Sequence, residues 1–333
     1  MEDTKLISQE VSIAENTVIL VTGGAGFIGS NFINTIFPKI ESRLKWMINL
    51  DILSYAGKEE NVFEKVRNNP KYVFIKGDIC NGELVGEVLE KYGVTHILHF
   101  AAESDVTQSF RDPMKFLQSN IIGTFTLLEE SRKYGRLSQF LNVSTDETQG
   151  QSLLDDIKGK TEEDKMNPSN FYAATKGSAE LMCNAYYHSF KIPIVISRSN
   201  NIFGRMQDPE KLIAKFIKLL KEGKKVTIEG TGCNVRGFVH AYDVAEAFEL
   251  LLIKGVIGQT YNIGCDPSGE YSVLEIAKIL IKLIKKTDNY DEHITYIPDR
   301  IYNDLRYLSN SSKIRALGWK PKIDLITGLQ ELI

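Results

Sequence analysis

The chain has 333 residues, 43% of them hydrophobic, and a formal net charge of −3 at pH 7. This length fits one large or two moderate domains, and the hydrophobic content is enough to fill a sizeable core. A nearly balanced charge argues against nucleic acid or a polybasic membrane surface as a partner. No apolar run approaches the length of a membrane-spanning helix, so we expect no membrane segment.

The first segment, residues 1–15, is polar, and we expect it to be a flexible tail rather than a signal peptide. The four cysteines are far apart and form no Cys-x-x-Cys pair and no metal-binding pattern. Reduced thiols, a cytoplasmic location and no bound metal are therefore expected. These cysteines are Cys80, Cys183, Cys233 and Cys265.

A glycine-rich turn lies between an apolar run and a helical pattern. Residues 17–22 are apolar and β-branched, as in a buried parallel strand, and a helix is predicted from Ser30. Between them lie Gly23, Gly26 and Gly29, spaced as Gly-x-x-Gly-x-x-Gly. Glycine lets the backbone approach phosphate oxygens, and a helix N-terminus supplies N–H groups and the positive end of a dipole. This order predicts a pyrophosphate site for a dinucleotide.

Asp51 ends the next predicted strand, residues 45–51. Its distance from the glycines is the one at which an acidic residue meets the ribose hydroxyls of adenosine. A carboxylate there would repel a 2′-phosphate, so the pattern favours NAD over NADP. The alternative is that Asp51 only caps a turn at the end of the strand.

Strands and helices alternate over the first 200 residues, which predicts an α/β fold with a doubly wound parallel sheet of the Rossmann type. Ligands of such sheets bind at the carboxyl ends of the strands. We predict this NAD-binding domain over residues 16–198 and a smaller α/β substrate domain over 199–333, with a segment near 236–255 that returns to the first domain. Predicted strands are 72–78, 96–100, 140–143 and 192–197; predicted helices are 84–92, 113–134, 171–190, 209–222, 241–254 and 272–286.

Three polar residues, Thr145, Asp146 and Glu147, follow the strand at 140–143. One protonated carboxyl group beside one ionised carboxylate suits a step that removes a proton and expels water. A shared site can separate the pKa values of two such groups. An isolated Asp-Glu pair is usually a solvated loop, so the hypothesis depends on the neighbouring motifs.

Tyr172 and Lys176 lie one turn apart near the start of the helix at 171–190, on one helix face. An ammonium group near a phenol favours the phenolate and lowers the pKa of the phenol. We therefore expect Tyr172 to act as a base toward a sugar hydroxyl. Tyr-x-x-x-Lys is common by chance and gains weight only from its context.

Together these motifs resemble the extended short-chain dehydrogenase/reductases, and within them the nucleotide-sugar 4,6-dehydratases that act on dTDP-glucose and UDP-glucose. The resemblance covers residues 17–329, and the Thr-Asp-Glu triplet separates dehydratases from the related 4-epimerases. Further matching segments are Ala101–Ser104, Ser199–Asn201, Pro209–Ile213, Gly230–Arg236, Tyr261–Gly264, Asp299–Arg300, Asn303–Tyr307 and Leu317–Trp319.

The resemblance implies that NAD⁺ stays bound through the cycle and that Tyr172, with Thr145 and Lys176, takes the proton of the sugar 4-hydroxyl. Glu147 would then remove the C5 proton while Asp146 protonates the departing 6-hydroxyl. The implied cofactor contacts are Gly23, Gly26, Phe27, Ile28, Gly29, Asp51, Asp78, Ile79, Ala101, Ala102, Tyr172 and Lys176. The implied substrate contacts are Ser104, Asn201, Lys211, Leu212, Arg236, Asn262, Arg300 and Asn303.

A homodimer is also implied, with the helices at 113–134 and 171–190 paired across a two-fold axis. The residues we expect in this interface are Phe116, Ile121, Phe125, Leu128, Leu181, Met182, Tyr186 and Tyr187. The alternative is that these residues only cover the sheet.

Several positions depart from the pattern of the family and leave the sugar pocket and the nucleobase open between UDP and dTDP. They are Asp105, Thr107, Gln108, Thr148, Gln149 and Glu229. Asn303, where bacterial dTDP-glucose enzymes have His, is similar to the eukaryotic-type branch, which includes the dehydratase domain of plant rhamnose synthases. Two other functions stay open: a nucleotide-sugar 4-epimerase, and an inactive NAD-binding regulatory protein.

Overall fold

The computed structural model describes residues 12–333. Its strands are β1 (Thr17–Thr22), β2 (Leu44–Asp51), β3 (Tyr72–Lys76), β4 (His96–His99), β5 (Gln139–Thr145), β6 (Ile194–Ser199), β7 (Asn201–Phe203), β8 (Val226–Glu229), β9 (Val235–His240), β10 (Thr260–Ile263), β11 (Glu270–Ser272) and β12 (Ile294–Ile297). Its α-helices are α1 (Phe27–Ile40), α2 (Glu64–Arg67), α3 (Gly82–Tyr92), α4 (Val106–Arg111), α5 (Pro113–Phe116), α6 (Gly123–Tyr134), α7 (Phe171–Phe190), α8 (Leu212–Lys221), α9 (Ala241–Lys254), α10 (Val273–Lys285), α11 (Ser312–Ala316) and α12 (Leu325–Leu332).

Seven strands form one sheet in the order β10-β6-β5-β4-β1-β2-β3, and every neighbouring pair is parallel. The apolar residues of α1 and α9 cover one face, and those of α3, α6 and α7 cover the other. Every residue of β1 is buried, as a continuous apolar strand between two helical layers must be. The predicted doubly wound parallel sheet is confirmed.

A second, smaller core lies between α8, α10, α12 and the two-stranded sheet of β8 and β12. A three-stranded sheet of β7, β9 and β11 connects it to the large sheet. The segment of the second half that joins the first domain extends beyond the predicted residues 236–255. It also includes β10, which pairs with β6 at the edge of the large sheet. Trp319 also packs in the first core, where its indole N–H donates to the carbonyl of Asp243 at 2.8 Å.

The predicted tail extends only partly into the described residues, and residues 1–11 lie outside them. Ile13 is buried in the first core, and Glu15 pairs with Arg43 at 3.0 Å. The packed chain therefore includes residues that we assigned to the tail. In the described part of the chain, no helix is both long and apolar enough to cross a bilayer.

The helix predicted over 113–134 contains a π-helical segment, Leu117–Ile122, between α5 and α6. The buried side chain of Asn120 lies in this wide turn. Its amide oxygen accepts from the Glu103 N–H at 2.8 Å, and its Nδ2 donates to the Glu103 carbonyl at 2.9 Å and to Thr175 Oγ1 at 2.9 Å. A π-turn of this kind is often found at functional sites.

Candidate active site

A deep cleft lies at the carboxyl ends of β1, β2, β4, β5 and β6, where a ligand of a doubly wound sheet is expected. All of the predicted cofactor residues and all five predicted catalytic residues line it. The predicted residues found in its wall are Gly23, Gly26, Phe27, Ile28, Gly29, Asp51, Asp78, Ile79, Ala101, Ala102, Ser104, Thr145, Asp146, Glu147, Tyr172, Lys176, Asn201 and Lys211.

The glycine turn has the geometry of a dinucleotide cradle. Gly23 has a φ of +71°, and a Cβ atom there would lie 2.6 Å from the backbone nitrogen of Ala101. A Cβ atom at Gly29 would lie 2.4 Å from the Gly23 carbonyl oxygen. Gly26 caps α1 and has no side chain to occupy the first N–H groups of the helix. These groups and the narrow turn fit a pyrophosphate.

Asp51 is buried beside the glycine turn and is held by two backbone donors. The Ala25 N–H donates to Oδ2 at 2.9 Å, and the Leu53 N–H donates to Oδ1 at 2.8 Å. Burial raises the pKa of Asp51, and these hydrogen bonds oppose that shift. A fixed carboxylate in this place fits the ribose hydroxyls of a bound NAD.

Asp146 lies at the end of β5 in a buried position with neutral hydrogen-bond donors. Asn200 Nδ2 donates to its Oδ2 at 2.6 Å, and Thr145 Oγ1 lies 3.2 Å from its Oδ1. Burial, followed by the negative charge of Glu147, raises the pKa of Asp146 to about 7. The Asp146 carboxyl group can therefore hold a proton near neutral pH.

Glu147 has different neighbours from those of Asp146. Its Oε2 accepts a hydrogen bond from Asn170 Nδ2 at 3.1 Å and lies 3.4 Å from the hydroxyl of Tyr307. Burial raises the pKa of Glu147, and the hydrogen bond from Asn170 and the positive charge of Arg236 oppose this shift. Each of the two neighbouring carboxyl groups thus has an amide donor and a hydroxyl neighbour of its own, so both are held in defined positions in one site.

Tyr172 and Lys176 project from the first turns of α7 into the same cleft. Lys176 Nζ donates to the Val143 carbonyl at 2.6 Å, and burial lowers the pKa of Lys176 to about 8. The expectation that Lys176 lowers the pKa of the Tyr172 phenol is not met. Burial and the charge of Glu147 raise the pKa of Tyr172, and only Thr145 opposes them.

Three of the predicted phosphate-binding residues lie together outside this cleft. Arg236 Nη2 donates to Asn303 Oδ1 at 3.2 Å, and its guanidinium lies 4.8 Å from the ring centroid of Tyr307. Arg300 donates through Nε and Nη2 to Glu229 Oε2 at 2.8 and 2.7 Å. Two arginines in this arrangement can bind a diphosphate. Arg300 would then bind the phosphate in place of Glu229 or together with it.

The structure does not support substrate contacts for two predicted residues. Asn262 is fully buried, and its Nδ2 donates to the carbonyls of Lys160 and Asn310 at 3.0 and 3.1 Å. These bonds use both amide hydrogens, so the side chain ties two loops together. Leu212 packs against the second core instead of the cleft. Lys211 does line the cleft, where Nζ donates to the Ser104 carbonyl at 2.9 Å.

Several residues that depart from the family pattern have structural contacts. Thr148 Oγ1 lies 2.9 Å from the Thr145 carbonyl, and Gln149 Nε2 donates to the Thr161 carbonyl at 2.6 Å. Asp105 caps α4 by accepting from the Gln108 N–H at 2.9 Å. These departures support the loops around the cleft. Nothing in the structure explains Thr107.

Sequence reasoning missed three residues that touch the acidic pair: Asn200, Asn170 and Tyr307. Asn200 lies in a quoted motif at the end of β6, and β6 is the neighbour of β5, so strand order could have indicated it. Asn170 precedes α7 and caps it through the Ala173 N–H at 2.8 Å. A capping asparagine next to Tyr-x-x-x-Lys is the signal that could have found it. Among the described residues, no group of His, Cys, Asp or Glu side chains is arranged to hold a metal ion.

Comparison with known proteins gives a consistent result. Residues 20–332 match the family described as GDP-mannose 4,6 dehydratase. The dTDP-D-glucose 4,6-dehydratase of Bos taurus is 41% identical over 318 residues, which cover 95% of this chain and 87% of that protein. A trifunctional UDP-glucose 4,6-dehydratase of Arabidopsis thaliana is 38% identical over 313 residues, which cover 94% of this chain and 46% of that longer protein.

Solved structures of similar proteins extend the comparison. The dTDP-glucose 4,6-dehydratase of Bacillus anthracis in complex with NAD superposes with a TM-score of 0.85 at 38% identity, and covers 95% of this chain and 94% of its own. A UDP-glucose 4-epimerase of Thermotoga maritima has a TM-score of 0.83 at 30% identity, and covers 94% of this chain and 96% of its own. The fold is thus shared with epimerases, but the identity is higher to the dehydratase.

Proposed function

Because the chain belongs to the family described as GDP-mannose 4,6 dehydratase, we propose that it converts a nucleoside-diphosphate glucose to the 4-keto-6-deoxy product with NAD as its cofactor. The observation that carries this proposal is the acidic pair in the cleft. Burial raises the pKa of both groups, that of Asp146 to about 7. For Glu147 the hydrogen bond from Asn170 and the positive charges of Arg236 and Lys211 oppose the rise. An elimination of water needs such an acid and such a base together.

Bound NAD⁺ would accept a hydride from C4 of the sugar and return it to C6. The glycine turn and Asp51 would hold its pyrophosphate and adenosine ribose. Lys176 and Tyr172 line the same cleft as the acidic pair, so they can bind the second ribose of the cofactor and the sugar. The negative charge of Asp51 would repel the 2′-phosphate of NADP.

Tyr172 is the proposed base for the 4-hydroxyl, with Thr145 positioned to share its proton. Burial raises the pKa of Tyr172, and positive charge on the Lys176 ammonium and on a bound nicotinamide ring would favour the phenolate. Glu147 is the proposed base toward C5, and Asp146 is the proposed acid toward the 6-hydroxyl. Asn200 and Asn170 hold these two carboxyl groups in place.

Arg236, Arg300 and Asn303 are the proposed ligands of the diphosphate and its ribose. The hydrogen bond from Arg236 to Asn303 supports this assignment because it places them on one surface. Glu229 accepts hydrogen bonds from Arg300 and adds negative charge to the side of the site where the base is expected. We propose that UDP-glucose is accepted at least as well as dTDP-glucose. A lost methyl contact changes binding by only about 1–3 kcal/mol.

We propose a homodimer formed by α6 and α7. Leu181 and Phe125 are 61% and 44% exposed, and Met114, Leu117, Ile122, Phe171 and Phe190 are also exposed apolar residues of these helices and their neighbours. Phe116 and Leu128 do not belong to this surface, because they are fully buried inside the subunit. The four cysteines are free thiols, which supports the proposed cytoplasmic location.

Incubation with UDP-glucose and with dTDP-glucose, followed by chromatography and mass measurement, tests the proposal. We expect a product that has lost one water and carries a 4-ketone. A galactose nucleotide of unchanged mass would indicate a 4-epimerase instead. Absence of any product with either nucleotide, in a protein that still binds NAD, would favour a regulatory role. A kcat/KM that favours dTDP-glucose more than about a hundredfold would contradict the proposed base preference.

A further inference from the structure

A buried ion pair lies behind the catalytic turn, between α7 and β6. Glu180 of α7 is 0% exposed and Arg198 of β6 is 4% exposed. Arg198 Nη2 donates to Glu180 Oε2 at 2.7 Å, and its Nε lies 3.1 and 3.0 Å from the two carboxylate oxygens. Neither side chain lines the cleft, so neither is placed to touch the substrate or the cofactor.

The carboxylate of Glu180 also holds both ends of the catalytic turn. Ser144 directly precedes Thr145 in β5, and its Oγ donates to Glu180 Oε1 at 2.5 Å. Thr148 directly follows Glu147, and its Oγ1 lies 3.3 Å from the same oxygen. The segment that carries the acidic pair is therefore attached at each end to α7, the helix that carries Tyr172.

Glu180 lies one helical turn after Lys176 on α7. Burial lowers the pKa of Lys176, and the negative charge of Glu180 opposes this shift more than any other group. The other titratable groups near Lys176 are Tyr172 and Cys183 on α7, His99 on β4, and Asp146 at the end of β5. His99 is neutral, since burial lowers its pKa to about 3.

A buried ion pair is not needed for stability alone. Well-packed apolar residues of similar volume often replace such a pair without loss of stability, whereas removal of one partner leaves an uncompensated buried charge. The position of this pair is informative because it joins the two halves of the proposed catalytic machinery: the helix with Tyr172 and Lys176, and the turn with Asp146 and Glu147.

We propose that Glu180 and Arg198 are positioning residues that fix the acidic turn relative to α7, with the Glu180 carboxylate as the counter-charge of Lys176 one helical turn away. This inference rests on the catalytic roles proposed above. Glu180 acts through Ser144, Thr148 and Lys176, and Arg198 acts by holding the Glu180 carboxylate in one orientation.

The double variant Glu180→Leu/Arg198→Met tests this role, because it removes both buried charges at once. It is made in the Asp146→Asn background, in which nicotinamide reduction by the sugar nucleotide is separated from dehydration. We expect a folded protein that binds UDP and dTDP as the parent does. Reduction should slow about ten- to a hundredfold, as for a misplaced catalytic group. The pH above which the rate of reduction falls should move to a lower value, since Lys176 loses the negative charge of Glu180.

A matched control separates this effect from lost stability. Leu89→Ala, in the buried face of α3, is made in the same Asp146→Asn background and should lower the melting temperature. The rate of nicotinamide reduction and its pH dependence should stay those of the parent. If the double variant reduces nicotinamide at the same rate and with the same pH dependence as the Asp146→Asn parent, the inference is overturned. Failure of the Asp146→Asn parent to reduce nicotinamide with either nucleotide would instead count against the proposed function.

Ser144→Ala and Thr148→Val keep the inference testable if the double variant does not fold. Each removes a hydroxyl contact with Glu180 and leaves the ion pair intact, and Thr148→Val also removes the contact of that hydroxyl with the Thr145 carbonyl. In the otherwise wild-type enzyme we expect a lower kcat with little change in KM, because the acidic turn is displaced while the substrate-binding residues are untouched. Wild-type kcat in both variants would contradict the positioning role.

Discussion

Asp146 and Glu147 are adjacent in sequence, yet their surroundings separate their chemistry. Asn200 and Thr145 contact the first, and Asn170 and Tyr307 contact the second. The position of the pair at the carboxyl end of a predicted parallel strand indicated that it lies near the cleft, and the structure agrees. Its acid and base roles come from the family resemblance and stay predictions. Sequence reasoning missed the two asparagines, because their proximity to the pair depends on the pairing of β5 with β6 and on the start of α7.

We expect Asp146→Asn and Glu147→Gln to abolish dehydration while fold and NAD affinity are kept. Both replacements are near-isosteric and remove only an ionisable group that acts after the first oxidation. Circular dichroism, NAD titration and product formation measure the three properties. Reduced nicotinamide should accumulate in both variants, because the step that consumes it is blocked. Full product formation in both would contradict the assigned roles.

Turnover should fall as the pH rises above about 7, because Asp146 must be protonated to donate and its pKa is about 7. Asn200→Ala removes a hydrogen bond that favours the ionised form, so this alkaline limb should move to higher pH. The pH dependence of kcat measures both effects. A limb at the same pH in wild type and Asn200→Ala would show that another group controls it.

Elements with a strong local pattern were predicted well, and those that depend on distant contacts were not. The bounds of β1, α7 and α9 agree with the sequence prediction. The π-helical segment near Asn120 was missed, because it is stabilised by the Glu103 backbone, which comes from a different part of the chain. The place of β10 in the large sheet was also missed, since a four-residue strand carries no information about its partner.

The turn between β1 and α1 gives a prediction at the scale of an element. Gly29→Ala should strongly weaken NAD binding, because the new Cβ would lie 2.4 Å from the Gly23 carbonyl oxygen and must displace the cradle. Calorimetric titration with NAD measures the affinity. Gly86→Ala in α3 is the matched control, since its Cβ would meet only the flexible carboxylate of Glu130 at 3.1 Å and should leave NAD affinity unchanged. Equal affinities of the two variants would contradict the proposed cradle.

At the scale of the whole molecule, the exposed apolar surface of α6 and α7 predicts a dimer. Phe125→Asp and Leu181→Asp together should give a monomer, because a buried interface cannot accept unpaired carboxylates. Light scattering at several concentrations measures the mass. The control is Ile157→Asp, at a residue that is 92% exposed in a loop away from these helices, and it should stay dimeric. A wild-type mass of one subunit at all concentrations would rule out the dimer.

The central claim is that one molecule of sugar nucleotide is oxidised at C4, dehydrated and reduced at C6 in the same site. Sugar nucleotide labelled with deuterium at C4 tests this most directly, with UDP-glucose and dTDP-glucose measured separately. The account predicts a 4-keto-6-deoxy product that carries the deuterium at C6, because the hydride removed from C4 is the one returned. Deuterium retained at C4 of a galactose nucleotide, or a dehydrated product without deuterium at C6, would contradict it.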